Sequence, residues 1–346
     1  MLLNIMLAIH ILKKHLLILC CLYTHCNKEQ TELTKTQTIT VQNENDINKH
    51  FTELETSWRK WRTLHKIIKE WSIRKQEDLG LRVNDVVFYP FAGVDLVFPI
   101  SFFPDFKHLI MIGLEPVGKE FSLQAIDGIK LNLKYLLSHG NLVTRHMEQF
   151  AKSGVITLLI IQLKKLEAKD ISYCLSENQV EITFKLNNIE RKLTYMRLNL
   201  SDENHKAWKH LFKKHRNFTL FMKSASFVPQ QYGFHKIRDA LIENASIILQ
   251  DDTGIKYKTL KETDFKIHLY GSYYLPYTIE GLQHFFQKDL KEAYEKEKPE
   301  QLMFAIGYRS ESLPGNILWA YRVQKYPNTY ADQEDDEDET QLETLD

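Results

Sequence analysis

The stretch from Val83 to Gly118 constrains this chain more than any other. A short apolar run, Val86 to Phe91, passes into Tyr89-Pro-Phe-Ala-Gly93-Val-Asp95, and a second run, Leu109 to Leu114, passes into Gly113-Leu-Glu115-Pro-Val-Gly118. Each run closes on a glycine and an acid, and the segment between them is of roughly helical length. That is the order of a βαβ unit whose strand ends face a cleft. Pro99 and Pro104 limit the helix after Gly93 to a short one. A weaker copy runs from Phe218 to Gly254. It has an apolar Phe218–Met222, a small turn Lys223-Ser-Ala-Ser, a helical His235–Asn244, an apolar Ser246–Gln250 and then Asp251-Asp252-Thr-Gly254. The expectation is an α/β domain with a mostly parallel sheet built from two such units.

Other segments dress this frame. Phe51, Leu54, Trp58, Trp61, Leu64, Ile68 and Trp71 recur every three or four residues, which predicts an amphipathic helix that packs its aromatic stripe on the domain. Asp78-Leu-Gly80 offers its stop. Helices are expected over 121–137, 142–152, 155–166 and 201–215, and again over 279–297. Alternating Val180–Leu186 and Arg191–Leu198 flank Asn187-Asn188 and predict a β-hairpin inserted in the domain. Strands are expected at Lys266–Tyr270, Met303–Tyr308 and Ile317–Val323. Cys174 reads as a buried small hydrophobe.

The first residues suggest an address. Lys13 and Lys14 precede an apolar run from His15 to His25, and Cys26 follows. A basic region, a short apolar region and a cleavage zone describe an export signal, and the run is too short to span a bilayer. Residues 27–50 are polar, rich in Thr, Asn and Gln, and read as a tether. A single α/β domain is then expected over 51–330. The stretch Asp332–Asp346 holds nine acids and no base, so 331–346 reads as a solvated acidic tail. Zero net charge overall, with the basic residues of 206–216 reading as a solvated face, gives no reason to expect a nucleic-acid partner.

The strand-end residues are the candidate ligand site: Gly93, Asp95, Glu115, Asp251 and Asp252. In nucleotide-binding sheets a glycine turn follows one strand and an acid ends the next, which makes a Rossmann-like, methyltransferase-like transferase the alternative reading. Gly113 to Lys119 nearly spells a phosphate loop. Pro116 removes a needed N–H, however, and Glu115 puts a negative charge in the cradle. Asp251 and Asp252 beside Glu115 offer oxygens to a hard cation only if the two units converge; no histidine spacing suits zinc, and no metal is expected. No cofactor is identified.

The motifs Tyr-Pro-Phe-Ala-Gly-Val-Asp (89–95), Ile-Gly-Leu-Glu-Pro-Val-Gly (112–118), Ile-Leu-Gln-Asp-Asp-Thr-Gly (248–254) and Leu-Tyr-Gly-Ser-Tyr (269–273) together resemble those of a group of exported bacterial proteins and lipoproteins without an assigned activity. The resemblance covers about Val83 to Arg322. It implies export and an α/β domain, and it carries over no catalytic residue. The leader likewise resembles a bacterial lipoprotein signal, in which Cys26 matches the lipid-bearing cysteine, although His25 stands where a small residue is usual. The expected protein is therefore anchored to the cell envelope by an N-terminal lipid, periplasmic or surface-facing, with a domain that binds a small molecule.

Overall fold

The computed structural model describes residues 35–38, 52–91, 93–122, 133–134, 136–137, 147–273, 283–306 and 315–323. Its strands and helices, in chain order, are β1 (Lys35–Thr38), α1 (Glu55–Leu79), β2 (Val86–Tyr89), α2 (Val97–Phe102), β3 (His108–Gly113), α3 (Met147–Lys165), β4 (Lys169–Leu175), β5 (Gln179–Leu186), β6 (Ile189–Arg197), α4 (His205–Trp208), α5 (Leu211–Lys214), β7 (Phe218–Met222), α6 (His235–Asn244), β8 (Ala245–Gln250), α7 (Tyr257–Lys261), β9 (Phe265–Gly271), α8 (Lys288–Glu297) and β10 (Asn316–Arg322).

All ten strands join one sheet in the order β1-β4-β5-β6-β3-β2-β7-β8-β10-β9. The five central strands, β6-β3-β2-β7-β8, run parallel. The other five pairings are antiparallel. The expected mostly parallel sheet of two units is therefore incorrect: the sheet is mixed, with a parallel centre and antiparallel wings, and only the α/β class stands. The two apolar runs did mark parallel strands. The wings are built from strands that alternate or lie far apart in the chain, and no local pattern announces which neighbour they choose.

Both faces of the central strands are covered, which is why they read as unbroken apolar runs. Along β2, Val87 and Tyr89 face one core and Phe88 the other; along β3, Leu109 and Met111 oppose Ile110 and Ile112. The first core gathers α1, α2 and α3, including Trp58, Trp61, Trp71 and Leu159. The second gathers α4 to α8, including Trp208, Ile237, Leu260 and Leu290. The stripe of α1 does pack on the domain. Trp71 meets Phe102, Tyr270 and Phe304 edge-on at 5.2–6.2 Å between centroids, and Gly80 closes the helix in the left-handed conformation at φ 64°.

Several boundaries differ from expectation. The helices expected at 142–152 and 155–166 are one element, α3, broken at Gly154 (φ 66°, ψ 178°). The helix expected from Ser201 is a 3-10 turn and two single-turn helices. Asp202 instead receives the backbone N–H groups of His235 and Lys236, at 3.1 and 2.8 Å, at the start of α6. Strand β4 was not anticipated, and its Cys174 is half-exposed opposite Thr36 of β1 rather than buried. Residues 303–306 form no strand. The hairpin is as expected, with Asn187 and Asn188 both left-handed at φ 53° and 62°. Most of 121–137, the first part of 279–297, the leader with Cys26 and the acidic tail lie outside the described residues.

Candidate functional site

The chain leaves β2 for β3 on one side and later places β7 and β8 on the other. The strand order therefore reverses between β2 and β7. In open α/β sheets the loops at the carboxyl ends of two such strands diverge and leave a crevice. Here those loops start at Pro90 and Lys223. Both carry bulky residues in the left-handed region: Phe91 at φ 58° in the first, and Phe227 at φ 58° with Ser224 and Ser226 at 53° in the second. Such conformations cost about 1–2 kcal/mol each for a residue with a β-carbon, so surrounding contacts must hold them.

Between the loops lies a buried charge cluster. Lys223 is 1% exposed, and its Nζ lies 2.5 Å from Asp95 Oδ2. The Tyr89 hydroxyl donates to the same carboxylate, 3.0 and 3.2 Å from its two oxygens. The ammonium also sits 4.4 Å from the centre of the Phe98 ring, whose face carries partial negative charge. Gln162 of α3 donates to the Val94 carbonyl at 2.5 Å and so ties the Asp95 loop to the first core. Gly93 is half-buried in this loop.

Glu115 follows β3 and is 7% exposed. Its Oε2 accepts from the Tyr195 hydroxyl at 2.9 Å and from the Leu114 N–H at 3.1 Å. Burial pushes its carboxyl up from the usual carboxylate range, Asp95 adds to this, and the hydrogen bonds oppose it. Burial, and then Glu115, raise the Tyr195 phenol well above its ordinary value. Behind Glu115, the Val155 and Ile156 N–H groups of α3 donate to the Pro116 and Val117 carbonyls at 2.9 and 3.1 Å. The loop after β3 thus offers carbonyls to a helix, the opposite polarity from a phosphate cradle.

Asp251 and Asp252 follow β8. The Asp251 carboxylate accepts from the Ser224 and Thr253 N–H groups, each at 2.9 Å, and from the Thr253 hydroxyl at 2.5 Å. Burial, and next the charge of Asp252, push its carboxyl up to about 6 against those three donors. The bond from Ser224 links this turn to the loop that carries Lys223.

All five sequence-predicted positions therefore sit at the carboxyl edge, but not all meet. Asp95 and Glu115 share a field, as do Asp251 and Asp252. Glu115 and Asp251 leave the sheet on either side of β2 and β7, about 14 Å apart by strand spacing, and each turns toward its own donors. Among the described residues no group of three or more His, Cys, Asp or Glu side chains gathers as a metal ion requires. Sequence reasoning missed Lys223, Tyr195, Asn316 and the buried amides around Asp252. Lys223 carried a signal, since it directly follows the five residues, four of them apolar, of a strand buried on both faces. When set against protein-family models the chain matches none, and among curated proteins it finds no significant match.

Proposed function

We propose that this chain is a lipid-anchored envelope protein whose α/β domain binds a small ligand at the carboxyl edge of the parallel strands, in the crevice between β2 and β7. One observation carries the ligand reading: the buried Asp95–Lys223 pair with Tyr89, placed where the strand order reverses and flanked by loops held in left-handed conformations. A buried ion pair contributes little net stability compared with apolar packing, so its position at a crevice favours a part in binding. The anchor at Cys26 rests on the leader alone.

The methyltransferase-like alternative has less support. A ribose-binding acid must present its carboxylate to the cleft, whereas Glu115 turns its own toward Tyr195 and Leu114. The helix after β2 is six buried residues, too short for a phosphate or carboxylate site at its start.

Thermal shift of the full chain against sugars, nucleotides, amino acids and amines tests the binding. A rise in Tm with one class, lost in Lys223→Met, is expected; no shift with any class removes the proposal. Metabolic labelling with a palmitate analogue tests the anchor, which requires incorporation by the wild type and none by Cys26→Ser.

A further inference from the structure

The stretch that leads into β7 presents a row of cations because three of its residues are held inward. Trp208, Leu211 and Phe212 are buried in the second core, and the Trp208 indole N–H donates to the Ser201 carbonyl at 3.0 Å. Lys206, Lys209, Lys213, Lys214 and Arg216 are exposed between and beyond them. At three- and four-residue spacing such like charges repel one another. The carboxylates around them are mostly taken. Asp85 pairs with Lys107 at 2.8 Å, Glu181 with Lys192 at 2.9 Å, Asp239 with Arg238 at 3.1 Å and Asp264 with Arg322 at 3.0 Å, while Asp202 caps α6. Among the described residues, none of the five cations forms an ion pair.

This basic face lies where the last described strand leaves the fold. It feeds β7, so it sits at the amino edge of the parallel strands, and His215 meets His108, the first residue of β3, with ring centroids 5.8 Å apart. β10 runs antiparallel to β8 and therefore ends on the same edge. Tyr321, Ile247 and Thr219 stand in one row across β10, β8 and β7, which puts the exit two strand spacings, about 10 Å, from the foot of β7. The Ile242 and Glu243 carbonyls hold the Arg322 guanidinium there at 2.9 and 3.2 Å. Residues 332–346 lie outside the described residues, but the point from which the chain runs to them is fixed. Nine residues, 323–331, separate Arg322 from the first acid of that stretch, a reach of about 30 Å at full extension. Six consecutive acids, 334–339, follow.

We propose that the acid-rich stretch 332–346 docks on the basic face 206–216 of its own chain. Nine acids without a base meet five cations, and each group relieves the other of its self-repulsion. The tether reaches well beyond the distance required, so the encounter takes place within one molecule at high effective concentration. An outside polyanion, whether nucleic acid or an acidic protein, has to displace the tail before it meets the face. The zero net charge of the chain is then a local neutralisation, and the docked tail removes a positive field that otherwise draws polyanions from solution. This contact is at the amino edge and does not depend on the ligand reading, which concerns the carboxyl edge.

Carbodiimide coupling of the full chain, which joins carboxylates to amines in direct contact, tests the docking once the products are mapped by mass spectrometry. Coupling of residues 334–339 to Lys206, Lys209, Lys213 and Lys214 is expected, several-fold above coupling to Lys66 of α1 and Lys288 of α8, whose side chains are 76% and 83% exposed. It is expected to fall several-fold at about 1 M salt, where charges are screened within about 3 Å. Mixing isotope-labelled with unlabelled chains tells contact within a chain from contact between copies. A full-length variant with 334–339 changed to the matching amides is expected to bind heparin at least tenfold more tightly than the wild type, because its basic face is uncovered. Coupling spread evenly over all exposed lysines, absent from the face, or found only between labelled and unlabelled chains overturns the proposal. Equal heparin binding by wild type and variant overturns it as well, since the face then stands open to outside polyanions.

Discussion

Lys223 is the residue whose removal says most about the crevice. Taking away one partner of a buried ion pair leaves the other uncompensated, so Lys223→Met is expected to destabilise the protein by about 3–5 kcal/mol. Replacing both groups, as Lys223→Met with Asp95→Leu, removes that penalty, and the double variant is expected to lose less than the sum of the singles in urea denaturation. Asp251 carries a second prediction. Its carboxyl stands near 6 in the fold against an ordinary 3.8, so the folded protein holds a proton that the unfolded chain releases. This stabilisation is complete below about pH 4 and is lost as pH rises through about 6. Denaturation midpoints at pH 4.5 and 7.5 are expected to differ less in Asp251→Asn than in the wild type, because that variant cannot titrate.

At the scale of elements, two glycines of similar φ are expected to behave differently. Gly80 ends α1 in open space, so a β-carbon there meets nothing within 4 Å; Gly80→Ala is expected to cost about 1 kcal/mol from backbone conformation alone. At Gly154 a β-carbon falls 2.2 Å from the Gly118 backbone. Gly154→Ala must push α3 away from the loop behind Glu115, and a loss beyond about 3 kcal/mol is expected from urea denaturation. Legibility in the sequence follows the same physics. β2, β3, β7 and β8 were readable because strands covered on both faces are continuous apolar runs, and the Asn187–Asn188 turn because two left-handed residues favour asparagine. β4 was not, because Lys169, Asp170, Ser172 and Cys174 break its pattern at a half-exposed wing. The acids of the site stood out after apolar runs, whereas Asn316, Gln230 and Gln287 come from distant segments, and only the fold gathers them around Asp252.

Across the whole molecule, the parallel centre is shielded by helices on both faces and by antiparallel wings on both sides. The wing beyond β4 is completed by β1, which lies inside the stretch expected to be a polar tether. An uncovered strand edge invites pairing with another chain. Thr36→Pro with Thr38→Pro, which removes two backbone donors from β1, is expected to shift the protein toward larger species than the wild type forms, in light scattering at raised concentration. The same pairing limits freedom of movement. On the proposed anchor, only the eight residues between Cys26 and Lys35 separate the lipid-bearing residue from the first paired one, a span of about 30 Å at full stretch. A protein moored in this way rides close to the bilayer with one flank turned down, and what reaches its crevice has to arrive along the membrane surface or from the open side.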